Sequence, residues 1–207
     1  SDLLNRNNTK TQAALNEAMA EGQVTIGTQS LILPKPFMVI ATQNENEFGQ
    51  GTQPVSDALL DRFGNSTYFG SPNVKQREQV GLEFSNGLYL VAPKKVMEIA
   101  DLERTQEVVR QIPVDQKAIE WLAESIHQIA SVKGVEMVSR GHRGMQATIR
   151  TAQAHALRIG NSQVTREHFA KVLPFTYAHR IKSVGDDTDH AKKLQVIDTA
   201  VKSKRAA

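Results

Sequence analysis

The sequence predicts an α/β unit of about 72 residues followed by an all-helical domain. Three observations predict this fold class. The hydrophobic period changes between the two parts, residues 37–41 form an unbroken apolar run typical of a central parallel strand, and apolar residues recur at helical spacing almost throughout after Val74. We therefore expect a first domain over residues 1–72 and a helical domain with a basic C-terminal tail over residues 73–207.

The first domain begins with short elements. Residues 11–20 carry apolar side chains at helical spacing and Gly22 ends the pattern, which predicts a short amphipathic helix. Alternation of apolar and polar residues predicts a hairpin over residues 23–33. The apolar run at 37–41 stops at the polar residues 42–44, and we expect it to be a strand buried between two neighbours.

The rest of the chain is predicted to be mostly helical. Ser56 can cap a second short helix, and residues 65–69 are predicted to form another strand, ending near Pro72. Two later helices are expected over residues 93–102 and after a cap at Asp115. A third is expected over residues 145–159, before a stop at Gly160. A fourth is expected from Thr165 to Pro174, and the proline ends or breaks it.

Composition excludes several classes of protein. Of the 207 residues, 40% are hydrophobic and 23% charged, which excludes a disordered chain, and no apolar run approaches the ~20 residues that cross a membrane. The absence of cysteine excludes a disulfide scaffold, thiol catalysis and cysteine-ligated metal sites. It also fits a reducing compartment, so we expect a cytoplasmic protein without a membrane span.

Charge is distributed unevenly along the chain. Acidic side chains outnumber basic ones in residues 1–72, whereas basic side chains outnumber acidic ones in residues 73–207. A solvated helical surface with a basic terminus explains this pattern, and a site for phosphate or an acidic partner is the alternative.

Three polar residues follow buried elements at places where ligands are often bound. Asn44 leaves the predicted 37–41 strand, where a side-chain amide can orient a water or a phosphate oxygen. Arg62 closes the helix after Ser56, and Arg143 precedes the helix near residue 145, so both guanidinium groups could reach an anion. The alternatives are a loop role for Asn44, a local ion pair of Arg62 with Asp61, and a solvated Arg143.

These residues occur in a specific order of motifs. Asn-Arg at 5–6 precedes the near-continuous stretch KTQAALNEAMAEGQVT at 10–25, which is followed by ATQN at 41–44 and LDRF at 60–63. This order resembles the second half of a MoxR-type AAA+ ATPase. More weakly, Gly141-His142-Arg143 resembles the second sensor motif of that family, and residues 174–180 resemble the end of its lid.

The resemblance implies a fold, cofactors and site residues. The fold would be the second half of a P-loop AAA+ αβα core plus a helical lid domain, and the cofactors would be ATP and Mg²⁺. By position, Asp2 matches the Walker B aspartate that helps hold Mg²⁺, Asn44 matches sensor 1, Arg62 the arginine finger and Arg143 sensor 2. Hydrolysis of a phosphoanhydride needs these chemical types, because it depends on positioning and charge neutralisation.

The resemblance also implies a function for the complete protein. The family uses ATP binding and hydrolysis to remodel or assemble partner proteins, some of which contain von Willebrand factor A domains. Its members form rings, commonly hexamers, with ATP at subunit interfaces. Arg62 would then act on a neighbour's nucleotide, whereas Asp2, Asn44 and Arg143 would act on their own.

Two departures from the family pattern matter. Leu3 stands where the family has the glutamate that polarises the attacking water, and leucine cannot accept a proton. No GxxxxGK[ST] motif occurs in the sequence, so the phosphate-cradling loop and its lysine are missing. Because the first residue is Ser1 rather than methionine, we expect a fragment whose Walker A motif lies upstream and which is inactive alone.

Two other functions stay open from the sequence. A subunit with Leu3 could be a non-hydrolysing interaction module that keeps the fold for ring or partner contacts. A DNA-handling relative is the third possibility because the helical part is basic, but aromatic and basic residues are interleaved only near Phe169, Phe175 and Tyr177. We therefore do not expect nucleic acid as the partner.

Overall fold

Helices predominate in the computed structural model, which describes residues 4–43, 53–88, 92, 94–139, 141–183 and 190–203. The helices are α1 (Thr9–Glu21), α2 (Asp57–Leu60), α3 (Val74–Ser85), α4 (Ile99–Gln111), α5 (Gln116–Ser131), α6 (Arg143–Arg158), α7 (Arg166–Tyr177) and α8 (His190–Ser203). The strands are β1 (Gln23–Ile26), β2 (Gln29–Ile32), β3 (Val135–Met137) and β4 (Ile181–Ser183), and 3-10 turns cover Leu4–Arg6 and Ala178–Arg180.

The N-terminal helix and hairpin form as the sequence predicts. The Asn8 side chain accepts a hydrogen bond from the Thr11 amide at 2.9 Å and caps α1, which ends at Gly22 in the left-handed conformation (φ 67°). Strands β1 and β2 then pair antiparallel, with Gln23 opposite Ile32. Local signals in the sequence therefore suffice for this part of the fold.

The predicted strand at residues 37–41 is wrong. These residues have no strand geometry, and the side chains of Met38 and Ile40 are 77% and 69% exposed. Next to this segment, the Leu4 amide donates to the Thr42 carbonyl at 2.6 Å, but the described residues supply no strand on either side of it. A central parallel strand needs hydrogen-bonding neighbours on both sides, so the apolar run alone does not form one.

Three other local predictions also need correction. Residues 65–69 lie in an irregular segment rather than a strand. Helix α4 begins at Ile99, several residues after the predicted start at residue 93. Pro174 lies inside α7, which continues to Tyr177, so the proline does not end this helix.

The main hydrophobic core lies among the C-terminal helices. Helices α5, α6, α7 and α8 bury their apolar faces against one another, and fully buried members of this core are Leu122, Ile129, Ala152, Phe169, Leu173 and Ile197. Strand β3 pairs antiparallel with β4, with Val135 opposite Ser183, and closes one side of this bundle. Asp115 caps α5 by accepting from the Ala118 amide at 3.0 Å, as predicted.

A second, smaller core holds α2 in place. Leu59 of α2 is fully buried beside Leu4 and Val55, and Leu15 and Phe63 pack against this cluster. Ser56 caps the helix as predicted, since its hydroxyl accepts from the Leu59 amide at 3.3 Å. This packing fixes the point where α2 ends, which is where Asp61 and Arg62 begin.

Within the ranges that the structure describes, none of the helices is both long enough and apolar enough to span a bilayer.

Candidate functional site

An open pocket of about 790 Å³ lies where the end of α2 meets α6. It is lined by Asp61, Arg62, Gly64, Arg143, Gln146, Ala147, Ile149, Arg150, Gln153 and Arg180. Four of these residues are arginines and one is an aspartate, so the lining carries an excess of positive charge. Its size falls within the range of small-molecule sites, and its charge suits an anion.

Arg62 reaches this pocket from the turn that follows α2. Its Nη1 donates to the Ala58 carbonyl at 2.7 Å, which folds the side chain back along the short helix. Its Nε is buried and has no hydrogen-bond partner among the described residues. The Arg62 guanidinium therefore keeps hydrogen-bonding capacity that the surrounding protein does not use.

Asp61 is the acidic centre of the pocket lining, and its side chain is 5% exposed. Its Oδ2 accepts from Nη1 of Arg143 at 3.2 Å, and its Oδ1 accepts from Nε of Arg180 at 3.3 Å. Within the described residues, Asp61 thus pairs with these two arginines rather than with Arg62. The alternative of a local Asp61–Arg62 ion pair is wrong in this structure.

Arg143 is the first residue of α6, and its side chain is 54% exposed, so it is solvated as the alternative expects, although it also pairs with Asp61. The next residue, Gly144, is buried against α7. A Cβ atom at Gly144 would lie 2.8 Å from Oη of Tyr177 and 3.2 Å from Cδ of Arg180. The missing side chain therefore allows the start of α6 to approach α7 closely, which places Arg143 over Asp61.

Arg180 is almost completely buried, with 2% of its side chain exposed. Burial lowers the pKa of its guanidinium, while the Asp61 carboxylate opposes that effect. The neighbouring His179 is also mostly enclosed, and burial lowers its pKa to about 4. His179 is therefore uncharged at neutral pH, and Arg180 supplies the positive charge opposite Asp61.

The predicted site residues are brought together only in part. Arg62 and Arg143 line the same pocket, although 81 positions of sequence separate them, whereas Asp2 and Asn44 lie outside the described residues. Leu3 also lies outside them. The structure thus brings the two arginine candidates to one pocket.

Sequence reasoning missed the residues that hold this pocket together. The sequence indicates Asp61 only as a partner of Arg62, and Arg180 only as the last residue of the segment 174–180 that resembles the end of the family's lid. The available signal was the lone arginine at the end of a largely apolar stretch, residues 172–181. A charged residue in such a stretch is buried only when it is paired, so it indicates an ion pair with another element.

The pocket can be tested against the cofactors that the resemblance implies. The exposed guanidinium of Arg143 and the unpartnered Nε of Arg62, at one open cavity, fit the phosphate groups of a nucleotide. Mg²⁺ needs oxygen ligands, but the carboxylate at this pocket, Asp61, is already engaged by two arginines. The described residues of this pocket therefore fit the phosphate groups and offer no unengaged carboxylate to Mg²⁺.

Comparison with known families identifies both parts of the chain. The family model described as "ATPase family associated with various cellular activities (AAA)" matches residues 1–64, and the AAA lid domain model matches residues 129–198. Arg62 falls within the first match, and Arg143 and Arg180 fall within the second. The pocket therefore lies between the AAA region and its lid.

Individual relatives agree with these matches. The chain is 33% identical over 182 residues to the uncharacterized protein YeaC of Bacillus subtilis, covering 87% of this chain and 56% of YeaC. It is 27% identical over 188 residues to the chaperone MoxR1 of Mycobacterium tuberculosis, covering 87% of this chain and 49% of MoxR1. The chain thus spans about half the length of the curated relatives it matches.

A solved structure supports the same fold. The crystal structure of a candidate ATPase from Cytophaga hutchinsonii superimposes with a TM-score of 0.83 at 24% sequence identity, covering 98% of this chain and 64% of that one. This likeness concerns the fold, which is a C-terminal AAA+ part with its helical lid. It confirms the predicted fold class, although residues 37–41 do not form the expected strand. The motifs, the two family matches and the fold together show that this chain belongs to the MoxR-type AAA+ ATPase family.

Proposed function

We propose that the complete protein is an ATPase that couples ATP binding and hydrolysis to the remodelling or assembly of partner proteins. The observation that carries the proposal is the joint lining of one arginine-rich pocket by Arg62, from the AAA region, and Arg143, from the lid. Cations from two separate regions around one cavity are what a bound polyphosphate requires.

The proposal gives each candidate residue a chemical role. ATP with Mg²⁺ supplies a phosphoanhydride bond whose cleavage increases negative charge on the phosphate oxygens. Asp2 would hold the metal, and the Asn44 amide would orient the attacking water. Because Arg62 and Arg143 line one pocket, both guanidinium groups would neutralise charge on one nucleotide, which a neighbouring subunit would hold in a ring, commonly a hexamer. For Arg143 this differs from the resemblance, which implies a role on the nucleotide of its own subunit.

The rate of hydrolysis is expected to be limited by the Walker B position. Leu3 replaces the usual glutamate there, so this chain lacks that base for the attacking water. We propose slow turnover, in which charge neutralisation by the arginines contributes most of the rate enhancement.

The partner is proposed only as a class. Support comes from the relative MoxR1, which is described as a chaperone. A client protein, which could carry a von Willebrand factor A domain, would be remodelled by the ring. The cytoplasm is the proposed compartment because the sequence has no cysteine.

ATP turnover by arginine variants of the complete protein tests the proposal. Arg62→Ala should lower turnover by ~10³-fold at saturating ATP while nucleotide binding stays within about twofold. Arg143→Ala should weaken nucleotide affinity as well as rate. Arg158→Ala is the matched control, because Arg158 lies on the same helix as Arg143, is exposed and does not line the pocket.

Two results would contradict the proposal. If neither pocket variant differs from Arg158→Ala, the pocket is not a nucleotide site. If the wild-type protein binds ATP but neither it nor the variant Leu3→Glu shows turnover, the protein is a non-hydrolysing interaction module.

A further inference from the structure

The segment that carries Arg62 is held on both sides by one lid residue. Nη2 of Arg180 donates to the carbonyl of Asp61 at 2.8 Å and to the carbonyl of Phe63 at 2.8 Å. The Nε of Arg180 also donates to Oδ1 of Asp61 at 3.3 Å. The residues immediately before and after Arg62 are thus bonded to a single guanidinium.

The geometry of these bonds requires an arginine. The guanidinium is a planar group with five donors in fixed directions, and Nη1 of Arg180 uses the opposite edge to donate to the Thr176 carbonyl in α7. A lysine keeps the charge but has one nitrogen, so it cannot reach the carbonyls of Asp61 and Phe63 and that of Thr176 together. Because Arg180 is buried, water does not replace any bond that is lost.

Neighbouring contacts continue the attachment along the chain. His179 approaches the Phe63 carbonyl through Nε2 at 3.0 Å and the Ser66 hydroxyl through Nδ1 at 2.9 Å. The Ser66 amide donates to the Phe175 carbonyl at 2.7 Å. The segment from Asp61 to Ser66 is therefore bonded to the C-terminal end of α7 and to the 3-10 turn that follows it.

We propose that Arg180, supported by His179, is a positioning residue that sets the direction of the Arg62 guanidinium by fixing the backbone on both sides of it. A shift of the lid would then move Arg62 together with the end of α7. This inference deepens the proposed function and rests on it, because it assigns a role to Arg180 only through Arg62.

Arg180→Lys in the complete protein tests the inference. Since a displacement of about 1 Å in a catalytic group can cost ~10²-fold, turnover at saturating ATP should fall by ~10-fold to ~10²-fold. The KM for ATP should stay within about twofold, because the Arg180 guanidinium donates to Asp61, Phe63 and Thr176 and is assigned no contact with the nucleotide. His179→Gln keeps a polar side chain and should give a several-fold loss with the same pattern, and it serves as the readout if Arg180→Lys does not fold.

A matched variant separates positioning from stability. Thr148→Val removes a buried hydrogen bond of 2.8 Å to Thr176 between α6 and α7 without touching the backbone near Arg62. It should lower the melting temperature but leave turnover within about twofold below that temperature. If Thr148→Val slows turnover as much as Arg180→Lys does, the effect is one of lid stability and the inference is wrong.

The double variant with Arg62→Ala gives the decisive readout. If Arg180 acts through Arg62, then Arg62→Ala/Arg180→Lys should be no slower than Arg62→Ala alone. Equal losses from Arg180→Lys in both backgrounds would overturn the inference, as would an unchanged rate in Arg180→Lys when Arg62→Ala is slow. If Arg62→Ala itself is as active as wild type, the finger assignment in the proposed function fails first and this inference fails with it.

Discussion

Replacement of Asp61 by asparagine should destabilise the folded chain strongly. Asparagine keeps the size and shape of the side chain but removes the charge that faces the buried Arg180 guanidinium. The side chains of Asp61 and Arg180 are 5% and 2% exposed, so the remaining positive charge would be left in a poorly solvated environment.

The magnitude follows from the two ion pairs of Asp61. Breaking a buried pair by removing one partner typically costs 3–5 kcal/mol, and Arg180 would still have its backbone carbonyl acceptors, so we expect about 3 kcal/mol from this pair. The pair with Arg143 contributes less than ~1 kcal/mol, because the Arg143 side chain is 54% exposed. For a chain of this size, a loss of about 3 kcal/mol corresponds to a fall of about 6–12 °C in melting temperature.

Urea and thermal unfolding followed by circular dichroism measure this loss. Asp57→Asn is the control, because Asp57 lies on the same short helix and pairs with Lys182, but their side chains are 46% and 31% exposed. Asp57→Asn should lower the free energy of unfolding by less than ~1 kcal/mol. A loss for Asp61→Asn below ~1 kcal/mol, or no larger than that of Asp57→Asn, would refute the reasoning that a buried ion pair joins α2 to the lid.

Three further results are expected. Burial lowers the pKa of His179 to about 4 from its ordinary 6.5, so its contribution to stability is present above pH 6.5 and is lost as the pH falls through 4. The free energy of unfolding should fall by up to about 3 kcal/mol over this range. His179→Gln should flatten this part of the stability curve, measured by urea unfolding. Gly144→Ala should cost about 1–3 kcal/mol in unfolding experiments, since the new Cβ would lie 2.8 Å from Tyr177, whereas Gly81→Ala on an open face of α3 should stabilise by about 0.5–1 kcal/mol; equal effects at the two glycines would contradict the close approach of α6 to α7. In the complete protein, Leu3→Glu should raise ATP turnover by ~10²-fold to ~10⁴-fold in a steady-state phosphate-release assay, and an unchanged rate in an assembled, nucleotide-bound ring would show that the missing base does not limit hydrolysis.

Elements whose signals are local could be predicted from the sequence. Asn8 and Gly22 delimit α1 through a cap and a left-handed residue, and both act within one helical turn. The residues 37–41 behave differently, because a buried strand depends on neighbouring strands that its own sequence does not describe. The apolar run therefore predicted burial that the structure does not show.

The candidate site also contains residues that the sequence could indicate and residues that it could not. Arg62 and Arg143 could be proposed because each lies in a motif that resembles a known one. Arg180 and Asp61 pair although they lie 119 positions apart, and no sequence pattern around either residue indicates the other as its partner. Contacts of this kind depend on how the lid packs against α2, so they become visible only in the folded chain.

Subunit mixing tests the central claim, that Arg62 acts on a nucleotide phosphate held by a neighbouring subunit. Arg62→Ala subunits of the complete protein are mixed with subunits that cannot bind nucleotide, and ATP turnover is measured after subunit exchange has been verified. The account predicts partial recovery of activity, because each subunit supplies what the other lacks. A mixture that stays as inactive as its two parents, in rings that demonstrably exchange subunits, would contradict it.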